Sequence, residues 1–347
     1  MIEPPQESAP HSEPRNKLPG YSEKVPPTLQ TPQSRSDFLR AARHFQCWVL
    51  TLFILLFTLP ANAIPDTTPN HTITAPGAHL IKAAAGFEFT EGPSCDAHGD
   101  IYFTDQPNDR ILKWRAADGT ITIFKQGCGR ANGTCFDAAG DLWTCSDEHN
   151  ALWRIAPDGK ATVVVADYQG KRLCGPNDVW VRPDDGLYIT DPFYLRSYWK
   201  HGHQEQDTQG VYYLPPGAAK LVRVISDFVQ PNGLIGTPDG KTLYVADIGD
   251  SKTYSYTISP DGSLTNKHLF CNLGSDGMTI DSEGNVYLTG HGVTVFDHAG
   301  AQILHLPIPE NWTGNICFGG TDRHTLFITA SHSVYTLQMR VHGVGSQ

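Results

Sequence analysis

The chain has 347 residues, with 26 basic against 36 acidic side chains and a formal charge of −10. Charged residues make up only 18% of it, and glycine and proline together number 33 + 25 = 58, which suits a domain with many turns. An acidic chain without a basic patch argues against nucleic-acid binding, and no segment keeps the 3.6-residue apolar period of a helical protein.

Residues 1–46 are polar and rich in proline and serine, with Arg40 and Arg43 near their end. An uncharged apolar run of 12 residues follows at 48–59, then Pro60 and Ala61-Asn62-Ala63. A basic stretch, a short apolar run and an A-x-A site describe a secretory signal peptide, whereas a membrane span needs roughly 20 apolar residues. Cleavage is expected after Ala63, giving an exported protein, periplasmic or secreted, with no membrane contact once cleaved. The mature chain would have 347 − 63 = 284 residues. Residues 64–77 read as a linker, 78–342 as one domain and 343–347 as a tail.

Within 78–342 a unit recurs six times. Its clearest part is a strand with an aromatic in second place, at 101–104, 142–145, 187–190, 243–246, 286–289 and 326–329. The aromatics are Tyr102, Trp143, Tyr188, Tyr244, Tyr287 and Phe327, so the steps are 41, 45, 56, 43 and 40. A period of roughly 40–50 residues is that of a β-propeller blade. Asp/Gly turns precede five of these strands, ending at Gly99, Gly140, Gly186, Gly240 and Gly284, and supply the positive φ that short hairpins need. A third strand follows in every unit and an outer strand in the first five. The pattern predicts an all-β, six-bladed propeller with four-stranded blades. Residues 78–84 are expected to complete the last blade, because an open ring would leave a strand edge unpaired. The long step of 56 contains an insertion at 198–210, rich in His, Gln and Asp, placed to overhang the axis.

Propeller geometry sets the start of each innermost strand at one mouth of the central channel. The residues in that slot are Glu91, Asn132, Asn177, Asn232, Asp276 and Asn315. One Glu-Gly-Pro or Pro-Asn-Gly is an ordinary turn. Six oxygen-bearing side chains in six equivalent slots point to a ligand, and an all-oxygen set suits a hard divalent cation.

The segments Phe89-Thr-Glu91-Gly-Pro93, Gly175-Pro-Asn177-Asp-Val179, Tyr188-Ile-Thr-Asp191-Pro192, Pro231-Asn232-Gly-Leu234 and Ser275-Asp276-Gly-Met278 resemble the gluconolactonase family. That family includes regucalcin (senescence marker protein) and is similar in fold to diisopropyl fluorophosphatase. The C-terminal part, from Thr289 through Asn315 to Ala330, is similar to the bacterial gluconolactonases, and the likeness spans about 80 to 340. It implies that Glu91, Asn177, Asn232 and Asp276 bind one divalent cation, calcium first, with zinc, magnesium or manganese as alternatives. It implies Asp276 as general base, with a water polarised directly by the cation as the competing start. Asn132, Asn177, Arg130 and His149 are the expected substrate contacts. The resemblance implies an arginine two positions before Asn177, where the chain has Gly175; Arg130, ahead of Asn132, is the stand-in.

The implied activity is cation-dependent opening of a lactone, a sugar (aldono-) lactone such as gluconolactone, with that small molecule as partner. A phosphotriesterase or other esterase on the same scaffold is one alternative, and a non-catalytic calcium-binding propeller another. Oligomeric state stays open. Of eight cysteines, Cys47 leaves with the leader. Seven is an odd number, so at least one thiol is free or pairs between chains; Cys135 with Cys145 is the expected pair if any disulfide forms.

Overall fold

Each unit folds because a hairpin signal joins two runs of β-branched and aromatic residues. At Asp96 the side-chain Oδ1 accepts the amides of His98 (2.9 Å) and Asp100 (3.0 Å), and Gly99 closes the turn at φ 90°. The same device recurs at Asp137, which accepts from Ala139 and Asp141, and at Asp281, which accepts from Glu283 and Asn285. Aspartate offers the backbone a local acceptor and glycine reaches the left-handed region without strain.

The computed structural model describes residues 73–344. They form a six-bladed β-propeller of antiparallel four-stranded sheets. Blade one runs Thr90–Cys95, Ile101–Asp105, Arg110–Trp114 and Ile121–Gln126 from axis to rim. Blade two runs Ala131–Phe136, Leu142–Ser146, Ala151–Ile155 and Ala161–Val165. Blade three is Val179–Val181, Leu187–Asp191, Gly210–Leu214 and Val222–Ile225. Blade four is Pro231–Gly236, Thr242–Asp247, Lys252–Ile258 and Leu264–Cys271, and blade five Met278–Ile280, Val286–Gly290, Gly292–Phe296 and Gln302–Leu306. Blade six holds Thr313–Gly319, Thr325–Ala330 and Ser333–Gln338, and its outer place is taken by Ile81–Ala85, antiparallel to Ser333–Gln338. Among the described residues no helix is long and apolar enough to cross a membrane.

The repeated aromatics are wedges between blades. Tyr102 packs edge-on against Phe136 of blade two at 5.0 Å between ring centroids, and Tyr287 against Phe318 of blade six at 5.4 Å. Tyr188 is fully buried and donates its hydroxyl to the Gly262 carbonyl of blade four at 2.7 Å. Phe327 of blade six reaches Phe103 (5.4 Å) and Trp114 (5.6 Å) of blade one. This last contact joins blade six to blade one and closes the ring.

Several expectations shift. The strand completing blade six is Ile81–Ala85, later than 78–84. The end of the expected linker is structured: Ile73 is buried and Thr74 bridges Met339. The start of the expected tail is structured too, since Gly343 bridges Asp281. All seven cysteines among the described residues are free thiols. Cys135 faces Trp143 across its strand pair and Cys145 faces Leu152, so the expected Cys135–Cys145 pair is not formed. Register explains this: Cys135 lies opposite Trp143, so Cys145, two residues further along that strand, shares its face but is offset along the sheet rather than opposed to it. The expected leader and its cleavage site lie outside the described residues.

Phe327→Ala should cost about 3–5 kcal/mol, because it empties a fully buried wedge at the closing seam. Urea denaturation measures this, and a loss below about 1 kcal/mol would show that the seam does not depend on it.

Candidate functional site

Glycines let the innermost strands crowd the axis. Gly92 follows Glu91 with φ 44°, and a Cβ there would run into the Asn132 backbone of the next blade. Gly277 follows Asp276, and a Cβ there would overlap the Asn315 side chain. Gly133 follows Asn132 and donates its amide to the Asn177 carbonyl at 2.7 Å. Inner strands this close bring their leading side chains within reach of one another.

A second layer of acceptors fixes the loops that deliver those side chains. Asp105 accepts the Glu88 (3.0 Å) and Phe89 (3.3 Å) amides just ahead of Glu91. Asp191 accepts those of Cys174 (2.9 Å) and Gly175 (2.7 Å) ahead of Asn177. Asp247 accepts those of Val229 and Gln230, both at 2.8 Å, ahead of Asn232. At blade five Thr289 Oγ1 accepts the Gly277 amide at 2.7 Å, and Ser275 Oγ accepts the Thr289 amide at 2.8 Å. Asp191 therefore orients a slot residue rather than lining the mouth. Burial pushes its carboxyl up to about 7, against the pull of its two amide partners.

At the mouth lies a cavity of about 310 Å³ lined by Phe89, Glu91, Gln106, Asn132, Asn177, Tyr194, Arg196, Gln230, Ile248, Asp276 and Trp312. Glu91 is buried, and its Oε2 accepts the Gly92 amide at 3.0 Å. Glu91 and Asp276 line the same cavity, near enough for each carboxyl to shift the other's proton affinity. Burial first, then the charge of Asp276, holds Glu91 well above the usual carboxylate range. Burial likewise raises Asp276, opposed by the Trp312 indole, which donates to its Oδ2 at 2.6 Å, and by Asn232. Asn232 donates Nδ2 to the Tyr194 hydroxyl at 2.9 Å, while its Oδ1 is buried without a partner.

These features fit a divalent cation. Two adjoining carboxyls out of bulk water repel unless a proton or a cation lies between them. The unpartnered amide oxygen of Asn232 is a third donor, and Asn177 lines the same cavity. Among the described residues no group of three His, Cys, Asp or Glu side chains is arranged for a metal, so a site here must draw on the two amides.

The remaining candidates separate. Asn132 lines the cavity. Arg130 is not in that lining: its guanidinium lies 4.4 Å from the Tyr198 ring centroid and donates to the Pro107 carbonyl. His149 is outside it as well, bonded to Ser146 Oγ at 3.2 Å and packed on Trp153. Asn315 faces a smaller axial cavity of about 100 Å³ together with Asp178, whose carboxyl burial pushes up to about 7. His201 pairs with Asn150, and His291 packs edge-on against Trp312 at 5.1 Å.

Reading the repeat missed Tyr194, Arg196 and Trp312. The first two come from the insertion, which runs from 192 to 209 between two strands of blade three. Its His/Gln/Asp-rich half does not cover the axis. It clips to the Lys171–Arg172 strand through Glu205 and Gln206. The earlier half, Phe193-Tyr-Leu-Arg-Ser-Tyr-Trp199, reaches the mouth, and its density of aromatics was the available signal.

Known proteins share the family and the fold. The family model described as SMP-30/Gluconolactonase/LRE-like region matches residues 89–332. A gluconolactonase of Zymomonas mobilis is 28% identical over 291 residues, covering 75% of this chain and 81% of that protein. The solved structure of a gluconolactonase from Xanthomonas campestris superposes with a TM-score of 0.72 at 30% identity, over 77% of this chain and 92% of that one. A calcium-binding protein, regucalcin, from Agrobacterium tumefaciens shares the fold, with a TM-score of 0.64 at 20% identity over 78% and 95% of the two chains. The propeller, its axial slots and the family match over most of the domain converge: this chain belongs to the SMP-30/gluconolactonase/LRE-like family.

Proposed function

We propose that the protein is a divalent-cation-dependent lactonase that opens sugar (aldono-) lactones. The lactone-hydrolase part is supported by the family and by the gluconolactonases of Zymomonas mobilis and Xanthomonas campestris. The cation part rests on one observation, two carboxyls, Glu91 and Asp276, lining one cavity, together with a buried Asn232 oxygen that has no partner.

Glu91, Asn177, Asn232 and Asp276 would hold the ion. Four oxygens from carboxylates and amides favour calcium over zinc, whose sites usually include His or Cys, and the Agrobacterium tumefaciens neighbour is described as calcium-binding. A bound cation supplies Lewis-acid stabilisation of the lactone carbonyl as it gains negative charge. The protein's own groups do the rest. Asp276, its plane fixed by the Trp312 indole, stands at the cavity wall to take a proton from the attacking water. Asn132 and Gln106 offer donors and acceptors to ring hydroxyls on the same wall. Tyr194 accepts the Asn232 amide nitrogen and leaves the buried amide oxygen without a partner in the protein. Export after cleavage at Ala63 belongs to the same proposal, and resting there it predicts Ile64 as the mature N-terminus; mass spectrometry of native protein finding intact Met1 would refute it.

Glu91→Gln and Asp276→Ala should each lower kcat for glucono-lactone by about 10²–10³-fold with the fold retained. Chelation should abolish turnover, and calcium should restore it. Full activity in chelated protein would exclude the cation mechanism. The polar lining also predicts a higher kcat/KM for glucono-lactone than for a long-chain acyl homoserine lactone, because donors buried against an alkyl chain lose their partners. The opposite ratio would remove the sugar-lactone assignment.

A further inference from the structure

Arg196 stands apart from every other cation near the mouth. It lines the cavity beside Glu91 and Asp276, and its charge is near enough to Asp276 to lower that carboxyl's proton affinity. Only its Nε is engaged, donating to Asp147 Oδ2 at 2.8 Å, while its guanidinium rests 5.4 Å from the Tyr194 ring centroid. Neither terminal Nη group has a hydrogen-bond partner among the described residues.

The aspartate that holds it is a buried junction. Asp147 closes the second strand of blade two and is 2% exposed. Its Oδ2 also accepts Gln106 Nε2 of blade one at 2.8 Å, and its carbonyl accepts the Trp199 indole at 2.9 Å. Trp199 fits there because Gly175 has no side chain: a Cβ at 175 would sit 2.9 Å from the Trp199 ring. Three blades therefore fix one guanidinium at the rim of the cavity. A long flexible side chain is normally left in water unless its position matters. Here Asp147 takes Nε alone and leaves the two terminal Nη groups free to form paired hydrogen bonds.

We propose that Arg196 is the substrate-binding group that reads the oxygen substituents of the lactone, and that Asp147 is the residue that positions it. The free Nη pair would donate to ring hydroxyls of the substrate and to the hydroxyls or carboxylate of the aldonate product. The insertion thus makes the site selective for polyhydroxylated rings over bare ones. This rests on the lactonase reading and adds to it the residue that sets substrate class.

The test compares wild type with Arg196→Gln, Arg196→Lys and Asp147→Asn. Substrates are glucono-1,5-lactone and δ-valerolactone, the same ring without hydroxyls, and gluconate binding is measured by calorimetry. Arg196→Gln should raise KM for glucono-lactone about 10- to 100-fold, the scale of losing charge-assisted hydrogen bonds. Any change in kcat, through the charge that Arg196 places near Asp276, should be common to both lactones, while KM for δ-valerolactone should be unchanged. Arg196→Lys keeps the ion pair to Asp147 but has no second donor edge, so it should share most of the KM rise; a merely structural arginine would be rescued by lysine. Asp147→Asn should raise the same KM by a smaller factor. Gluconate affinity should fall in parallel. Equal KM changes for both lactones, no KM change for either, or full rescue of KM by lysine would overturn the proposal. Should wild type open neither ring, the lactonase reading fails, and gluconate binding still decides: affinity lost in Arg196→Gln supports Arg196 as a binding group, and unchanged affinity rejects it.

Discussion

Close approach of the innermost strands to one axis is the constraint on which the rest depends. The backbone or the slot side chain of one blade lies where the side chain after the neighbour's slot residue would be, so a Cβ at Gly92 would strike the Asn132 backbone and one at Gly277 the Asn315 side chain. Nothing larger fits, and the slot side chains themselves are driven together. Glu91, Asn177 and Asp276 line one cavity as a consequence, with Asn232 bonded to Tyr194 of the same lining. A ring of blades splayed further apart would leave these groups solvated and separate.

Crowding carboxyls at a buried axis carries an electrostatic cost. Glu91 is raised by burial and by Asp276, and Asp178 by burial one layer further in. The fold keeps these groups because other parts of the chain are built around them: Asp105, Asp191 and Asp247 hold the loops that present the slots. Such an arrangement favours an occupant with positive charge, since removing one partner of a buried charged pair leaves the other uncompensated. Preorganisation of this kind also serves chemistry, because donors already fixed need not reorganise as charge develops.

The fold was legible because a propeller repeats. An aromatic wedge, an Asp/Gly turn and a polar slot recur at blade spacing, and each copy reinforces the others. Tyr102, Tyr188, Tyr287 and Phe327 pack between blades as one physical device. The slot residues were visible for the same reason. Groups that break the repeat were not. Trp312 precedes its blade's slot by three residues, and Tyr194 and Arg196 sit in an insertion present in a single blade. Proximity along the chain misled in the opposite direction: Arg130 and His149 flank a slot strand, yet Pro107, Tyr198 and Ser146 hold them away from the cavity. The cysteine pairing failed because neighbouring strands bring two thiols together only where the register sets them opposite each other, and here Trp143, not Cys145, faces Cys135.

The central claim is that one divalent cation is held on the propeller axis by Glu91, Asn177, Asn232 and Asp276. Anomalous diffraction from crystals soaked in manganese, and separately in calcium, tests it most directly. The account predicts a single strong axial peak with oxygens of all four side chains at about 2.1–2.6 Å. A peak elsewhere, or an axial peak that persists in the Glu91→Gln, Asp276→Asn double variant, would contradict it.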